Sequence, residues 1–119
     1  MIPTSVTFHG IESSEALRNI VLEHVARLER FASDIRSCRV VIESTERKRH
    51  QGNRFNVRVH LSMRGREIEA GNTPVEDSRH EDAYVAVTDT FDALRRRVED
   101  YVRRRRGDVK SPAQRRPVS

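Results

Sequence analysis

The stretch "NRFNVRVHLSMRGREIEAG", residues 53–71, decides how this chain folds. Up to Met63 it alternates without a slip. Phe55, Val57, Val59, Leu61 and Met63 fall on one side; Arg54, Asn56, Arg58, His60 and Ser62 fall on the other. Such a period of two belongs to a strand with one face on a core and the other in water. "RGRE" is a tight turn, after which "EIEAG" resumes with Ile68 and Ala70 inward and Glu67 and Glu69 outward. The stretch is an antiparallel hairpin with one apolar face, and something must cover that face.

The rest of the chain supplies the cover. Ser5–His9 alternates as a short strand, with Val6 and Phe8 on one side. Cys38–Ser44 reads as another, with Cys38, Val40 and Ile42 inward and Arg39, Val41 and Glu43 opposite; the polar "ERKRHQG" joins it to the hairpin. Between these strands, Ser13 or Ser14 offers an N-cap hydroxyl, and Glu15 places negative charge in the first turn. Leu17, Ile20, Val21, Val25, Leu28 and Phe31 then recur every three or four residues, which is one apolar helix stripe. After a polar loop at 73–81, Asp82 is the N-cap of a second helix, whose stripe is Tyr84, Val87, Phe91, Leu94, Val98 and Tyr101, with Val102. The order is β-α-β-β-β-α. Both stripes need the one apolar sheet face, so the expected fold is α+β: a two-layer sandwich of a four-stranded sheet with both helices on one side. Residues 1–106 form the domain, and 107–119, with two prolines and no apolar period, are expected to be a disordered basic tail.

At 119 residues a single domain is expected. Hydrophobic residues make up 35%, so the core is modest. No apolar run approaches the ~20 residues that cross a bilayer, and the N-terminus lacks the layout of a signal peptide. Cys38 has no partner for a disulfide and no CxxC pair holds zinc, so a reducing cytoplasm is the expected setting. The net charge of +5 is unevenly spread. Residues 95–119 hold ten Lys/Arg against three acids, or +7; residues 1–94 hold thirteen against fifteen, or −2. A cationic end on a near-neutral body favours a polyanion, nucleic acid before membrane.

That end is "RRRVEDYVRRRR", residues 95–106. At about 100° per residue, Arg96, Arg103 and Arg104 lie far from the core stripe, and Arg95, Arg97 and Arg106 flank it. Asp92–Arg96, Glu99–Arg103 and Asp100–Arg104 are expected as i,i+4 ion pairs, which leaves four arginines over. If about five cations touch phosphates, log affinity falls with log salt at a slope of roughly −3.5 to −4.5. The hairpin tip, with Arg47, Lys48 and Arg49, is a second basic point; its weight depends on whether it lies beside the first. The outward sheet residues include no aromatic on which a base could stack, and cross-strand Arg–Glu pairs are expected there instead.

Nothing points to chemistry. The five histidines show neither HExxH nor HxH spacing, and "RHED" reads as turn and cap residues. Cys38 is expected inside the core, and the glycines are scattered singly rather than gathered in a nucleotide-binding loop. No catalytic, metal or cofactor site is expected, and no small-molecule substrate.

The element order, with "GIESSEALRNIVLEHVARLERF" and "HEDAYVAVTDTFDALRRRVEDYVRR", resembles the hibernation-promoting factor and ribosome-associated inhibitor family, also labelled sigma-54 modulation proteins, in its short form. The resemblance covers about residues 4–106. It implies binding to the small ribosomal subunit near the decoding centre, through basic residues of both helices against ribosomal RNA, with occlusion of messenger and transfer RNA in non-growing cells. By position it adds Arg27 and Arg30 of the first helix to Arg95, Arg96, Arg97, Arg103 and Arg104 of the second. The free protein is expected to be a monomer. Two other readings compete. One is a double-stranded RNA-binding module, disfavoured by the acidic "HEDAY" that opens the last helix. The other is a protein-interaction regulator of transcription or stress response.

Overall fold

The computed structural model describes residues 2–30, 32–46, 53–72 and 82–106. The elements run β1 (Thr4–His9), α1 (Glu15–Glu29), β2 (Ile35–Glu46), β3 (Asn53–Met63), β4 (Arg66–Gly71) and α2 (Ala83–Arg106). This is the expected order. The strands form one sheet in the order β1-β2-β3-β4. β1 pairs parallel with β2 across the α1 crossover, and the other two pairings are antiparallel. The 53–71 hairpin has the register its alternation requires: Val59 faces Ala70 and Leu61 faces Ile68, while on the other surface His60 faces Glu69.

The apolar sheet face is the core. Val40, Ile42, Val57, Val59 and Leu61 are buried beneath Val21, Leu94 and Val98 of the helices. α1 lies over β1 and β2, α2 over β3 and β4, and the two helices touch each other. β4 runs in the same direction as β1 and β2, and each helix returns against the strand it follows. Both helices therefore end at the edge of the sheet where β1 and β2 begin.

Local chemistry sets the boundaries. Ser14 is the N-cap of α1, and its hydroxyl accepts from the Leu17 amide at 3.1 Å. Asp82 opens α2 by accepting from the Tyr84 amide through Oδ1 at 2.8 Å. Beyond β4, Asn72 acts as a further strand residue: Oδ1 accepts from Val57 N and Nδ2 donates to Phe55 O, both at 2.8 Å. The α2 stripe differs from the expected one at its start. Tyr84 is 44% exposed, and Ala86 and Thr90 are buried instead. Small residues fit where α2 approaches the sheet closely, and the Thr90 hydroxyl is satisfied by donating to Ala86 O at 2.8 Å. The first strand gains Thr4 and β2 extends at both ends to Ile35–Glu46, since pairing along β3 satisfies backbone groups beyond the alternating segment.

Two glycines take φ of +77°, Gly10 after β1 and Gly65 in the β3–β4 turn. A Cβ on Gly10 would stand 2.9 Å from Ser44 O, whereas one on Gly65 would meet nothing within 4 Å. Gly65→Ala should therefore lose only the left-handed penalty of about 1–2 kcal/mol. Gly10→Ala should lose that and more, because a backbone carbonyl must move; urea unfolding of the two variants should rank them in that order.

Candidate nucleic-acid interface

Burial of Phe91, Leu94 and Val98 fixes the rotation of α2, and this rotation aims its arginines. Arg96 and Arg103 project opposite the core stripe. Arg95 lies on the flank towards α1, and Arg97 and Arg104 on the flank towards β4. Arg95, Arg96, Arg97, Arg103 and Arg104 are all exposed. Arg106 is the last residue of the helix.

Ion pairing differs from the expected set. Of the three anticipated pairs only Asp100–Arg104 forms, at 3.2 Å. Asp100 also holds Arg103, at 3.8 Å, which leaves Glu99 to pair one turn backwards with Arg95 at 3.2 Å. Among the described residues Arg96 has no carboxylate partner. Arg97 crosses the sheet edge and donates to Glu69 O at 2.7 Å, occupying a carbonyl that β4 would otherwise expose. The side chains in the three α2 pairs are 40–70% exposed. Such pairs are worth about 0–1 kcal/mol each, so a phosphate can replace a carboxylate at small cost. Residues 95–105 carry six arginines against Glu99 and Asp100, a surplus of +4 that pairing within α2 does not remove.

The helices bring α1 into the same region. His24 stacks on Phe91 with ring centroids 4.9 Å apart and planes 9° apart, which sets the level of one helix against the other. Arg27 and Arg30, exposed at the end of α1, thus lie at the edge of the sheet where α2 also ends. Arg27 and Arg30 are joined there by the last two turns of α2, which run on past the end of α1. The described residues that flank the hairpin tip do not lie with them. Glu46 and Asn53 pair at the far end of β2 and β3, roughly 35–40 Å along the strand from Asp34 at ~3.3 Å per residue. Arg47, Lys48, Arg49, Phe31, the 73–81 segment and 107–119 lie outside the described residues.

Three contributors at the α2 end were not among the expected site residues. Arg105 contacts Asp34 Oδ2, and its Cζ lies 5.7 Å from the centroid of the Tyr101 ring. Arg66, at the start of β4, lies 5.5 Å from the same ring. A signal for Arg105 was available: it continues the 94, 98, 101 spacing of the core stripe. Asp34 and Arg66 had none, since their position depends on long-range pairing.

The open sheet face carries a concavity of about 760 Å3 lined by Arg39, Glu43, Asn56, Arg58, His60 and Glu69 among others, with no Phe, Tyr or Trp in its lining. Among the described residues the expected Arg–Glu pairs across it do not form. The His60 ring reaches Glu69 through Nδ1 at 2.7 Å and Glu67 through Nε2 at 2.6 Å. Sheet register is the reason, because it sets His60 opposite Glu69 and one step from Glu67. Among the described residues no group of three or more His, Cys, Asp or Glu could hold a metal ion. Cys38 is 2% exposed, and burial pushes its thiol up to about 12, which keeps it protonated and unreactive. No described helix is long and apolar enough to cross a membrane.

Fold and surface define an α+β domain of order β-α-β-β-β-α with its positive charge gathered where two helices end. The chain belongs to the family of sigma 54 modulation proteins and S30EA ribosomal proteins, whose model matches residues 4–106. Among solved structures it is similar to the N-terminal domain of Protein Y from Thermus thermophilus. Identity there is 18% over 85% of this chain and 99% of that one, with a TM-score of 0.62. It is also similar to a ribosomal subunit interface protein from Coxiella burnetii, at 18% identity over 82% of this chain and 96% of that one, with a TM-score of 0.60. At such identity the likeness is one of fold. No curated protein matches.

One titration tests the packing between the helices. Burial lowers the His24 pKa from its ordinary value of 6.5; Arg27 acts the same way, and Asp92 and Glu23 act against it. The folded state thus binds this proton less readily than the unfolded chain. Its stability contribution is complete above the unfolded value and is lost as pH falls from about 6.5 through the lower folded value. His24→Gln removes this component. Its melting temperature should fall less than that of the parent chain between about pH 7.5 and 5.5, and identical profiles would count against a half-buried imidazole here.

Proposed function

We propose that this chain is a ribosome-associated factor of the hibernation type, which binds RNA of the small subunit near the decoding centre and blocks translation there by occupancy. The observation that carries the reading is the helix end: Arg95, Arg96, Arg103 and Arg104 exposed on a rigid two-layer domain, with Arg27 and Arg30 at the same edge. Family membership supports it, and so does the fold shared with a ribosomal subunit interface protein. Guanidinium groups present planar forks that suit phosphate oxygens. No reaction is required of the site. A preformed wedge with a cationic edge excludes other ligands simply by filling a channel lined with phosphates.

Residues 1–106 are the binding domain in this proposal, followed by a basic tail, and the chain acts in the cytoplasm as a monomer when free. Arg47, Lys48 and Arg49 would make a separate contact, because their flanking residues lie at the opposite end of the sheet from the α2 arginines. Arg97 contributes less than its neighbours, being engaged with Glu69 O. The double-stranded RNA reading is disfavoured by α2, whose first half carries Asp89 and Asp92 and no cation.

The test is co-sedimentation with purified small subunits at low salt. Arg96→Glu, Arg103→Glu and Arg104→Glu together should abolish it while the melting temperature stays within a few degrees of the parent, since none of the three packs in the core. Undiminished binding by a folded triple variant would refute the reading. Capture of a protein partner that survives nuclease and high salt would favour the regulator alternative.

A further inference from the structure

Arg105 faces something different from its neighbours. Leu94 and Val98 are buried, Tyr101 is half-buried, and Arg105 follows at the next core position, so at about 100° per residue it carries the stripe beyond the sheet. There it meets a prepared partner. Asp34 stands just before β2, its carbonyl accepting from Arg64 N at 3.1 Å, and its carboxylate takes the Arg105 guanidinium. The Asp34 side chain is 23% exposed, so it is the most sheltered carboxylate paired with an α2 arginine. Arg105 and Arg66 both lie over the Tyr101 ring, at 5.7 and 5.5 Å. The cluster thus links the entry to β2, the entry to β4 and the last two turns of α2.

Those turns need such a link. Val98 is the last fully buried residue of α2, and a helix end with few core contacts and unpaired terminal carbonyls frays. Arg103 and Arg104 project from the frayable part. We propose that Asp34, Arg105, Tyr101 and Arg66 form a latch that holds the last two turns of α2 in place, so that Arg105 supports the RNA contact as a positioning residue and does not itself touch RNA. The inference rests on the RNA-binding reading above. With the latch open, Arg103 and Arg104 must be ordered on binding, and this cost weakens affinity without changing the number of phosphates contacted.

The experiment uses the full chain with Asp34→Ala, Arg105→Ala and both together, and Arg103→Ala as the contrast. Amide exchange in the free protein should accelerate at residues 102–106 in all three latch variants. Affinity for isolated small subunits should fall about three- to tenfold in each, with the double variant no worse than the weaker single. The slope of log affinity against log salt should stay that of the parent, whereas Arg103→Ala should make it shallower by roughly 0.7–0.9. The latch is overturned if Arg105→Ala also makes the slope shallower, if the two losses add, or if Asp34→Ala leaves exchange at 102–106 unchanged. Should the parent chain fail to bind small subunits at all, the RNA reading falls, while exchange in the free protein still reports on the latch.

Discussion

Burial of Leu94 and Val98 against β3 and β4 sets the rotation of α2, and the character of the molecular surface follows from that rotation. Each such side chain contributes about 1.5–3 kcal/mol when taken out of water. Turning the helix by one residue, about 100°, would bring arginines onto the sheet and expose the stripe. That exchange is far costlier than any surface ion pair could repay. The core therefore dictates which guanidinium groups face outwards, and the charged residues have no say in it. Phe91, stacked on His24, carries the same constraint across to α1.

Electrostatics then works on directions already settled. Asp100 attracts two arginines and Glu99 a third, yet the α2 end keeps a net positive charge. Exposed carboxylates of this kind hold arginine side chains in rough order until a stronger anion arrives. Both helices end at the same edge, where negative dipole ends are complemented by Arg27 on α1 and Arg103 and Arg104 on α2. The charge on this end is thus compatible with the folded state, and it remains available to a polyanion. Asp34 plays another part, being the more sheltered partner that ties the exposed Arg105 to the entry of β2.

The strands and helices were legible in the sequence because each has one dominant period. A slip of one residue in 53–63 would turn five apolar side chains into water, so only one reading of that segment survives. The N-caps Ser14 and Asp82 were legible for a local reason, since a side-chain oxygen and an amide two or three residues on suffice. What was not legible depends on contacts distant in sequence. Glu67 and Glu69 go to His60 rather than to an arginine because of strand register, which no i,i+4 rule encodes. Arg97 finds a carbonyl 28 residues away, and Arg105 a carboxylate 71 residues away. Tyr84 had the right spacing for the core but sits where α2 has not yet reached full cover, so it stays exposed. The strand ends that flank the basic hairpin tip illustrate the same limit: charge can be counted in a sequence, but which strand ends share an edge with a helix end is decided by topology.

The proposed role depends on α2 meeting phosphates with several guanidinium groups at once. The most direct measurement is the affinity of the full chain for purified small subunits across a salt series. With about five phosphate contacts, log affinity should fall linearly against log salt with a slope near −3.5 to −4.5. A flat line, or binding that strengthens with salt, would contradict the account and leave the arginine end as ordinary solvated surface.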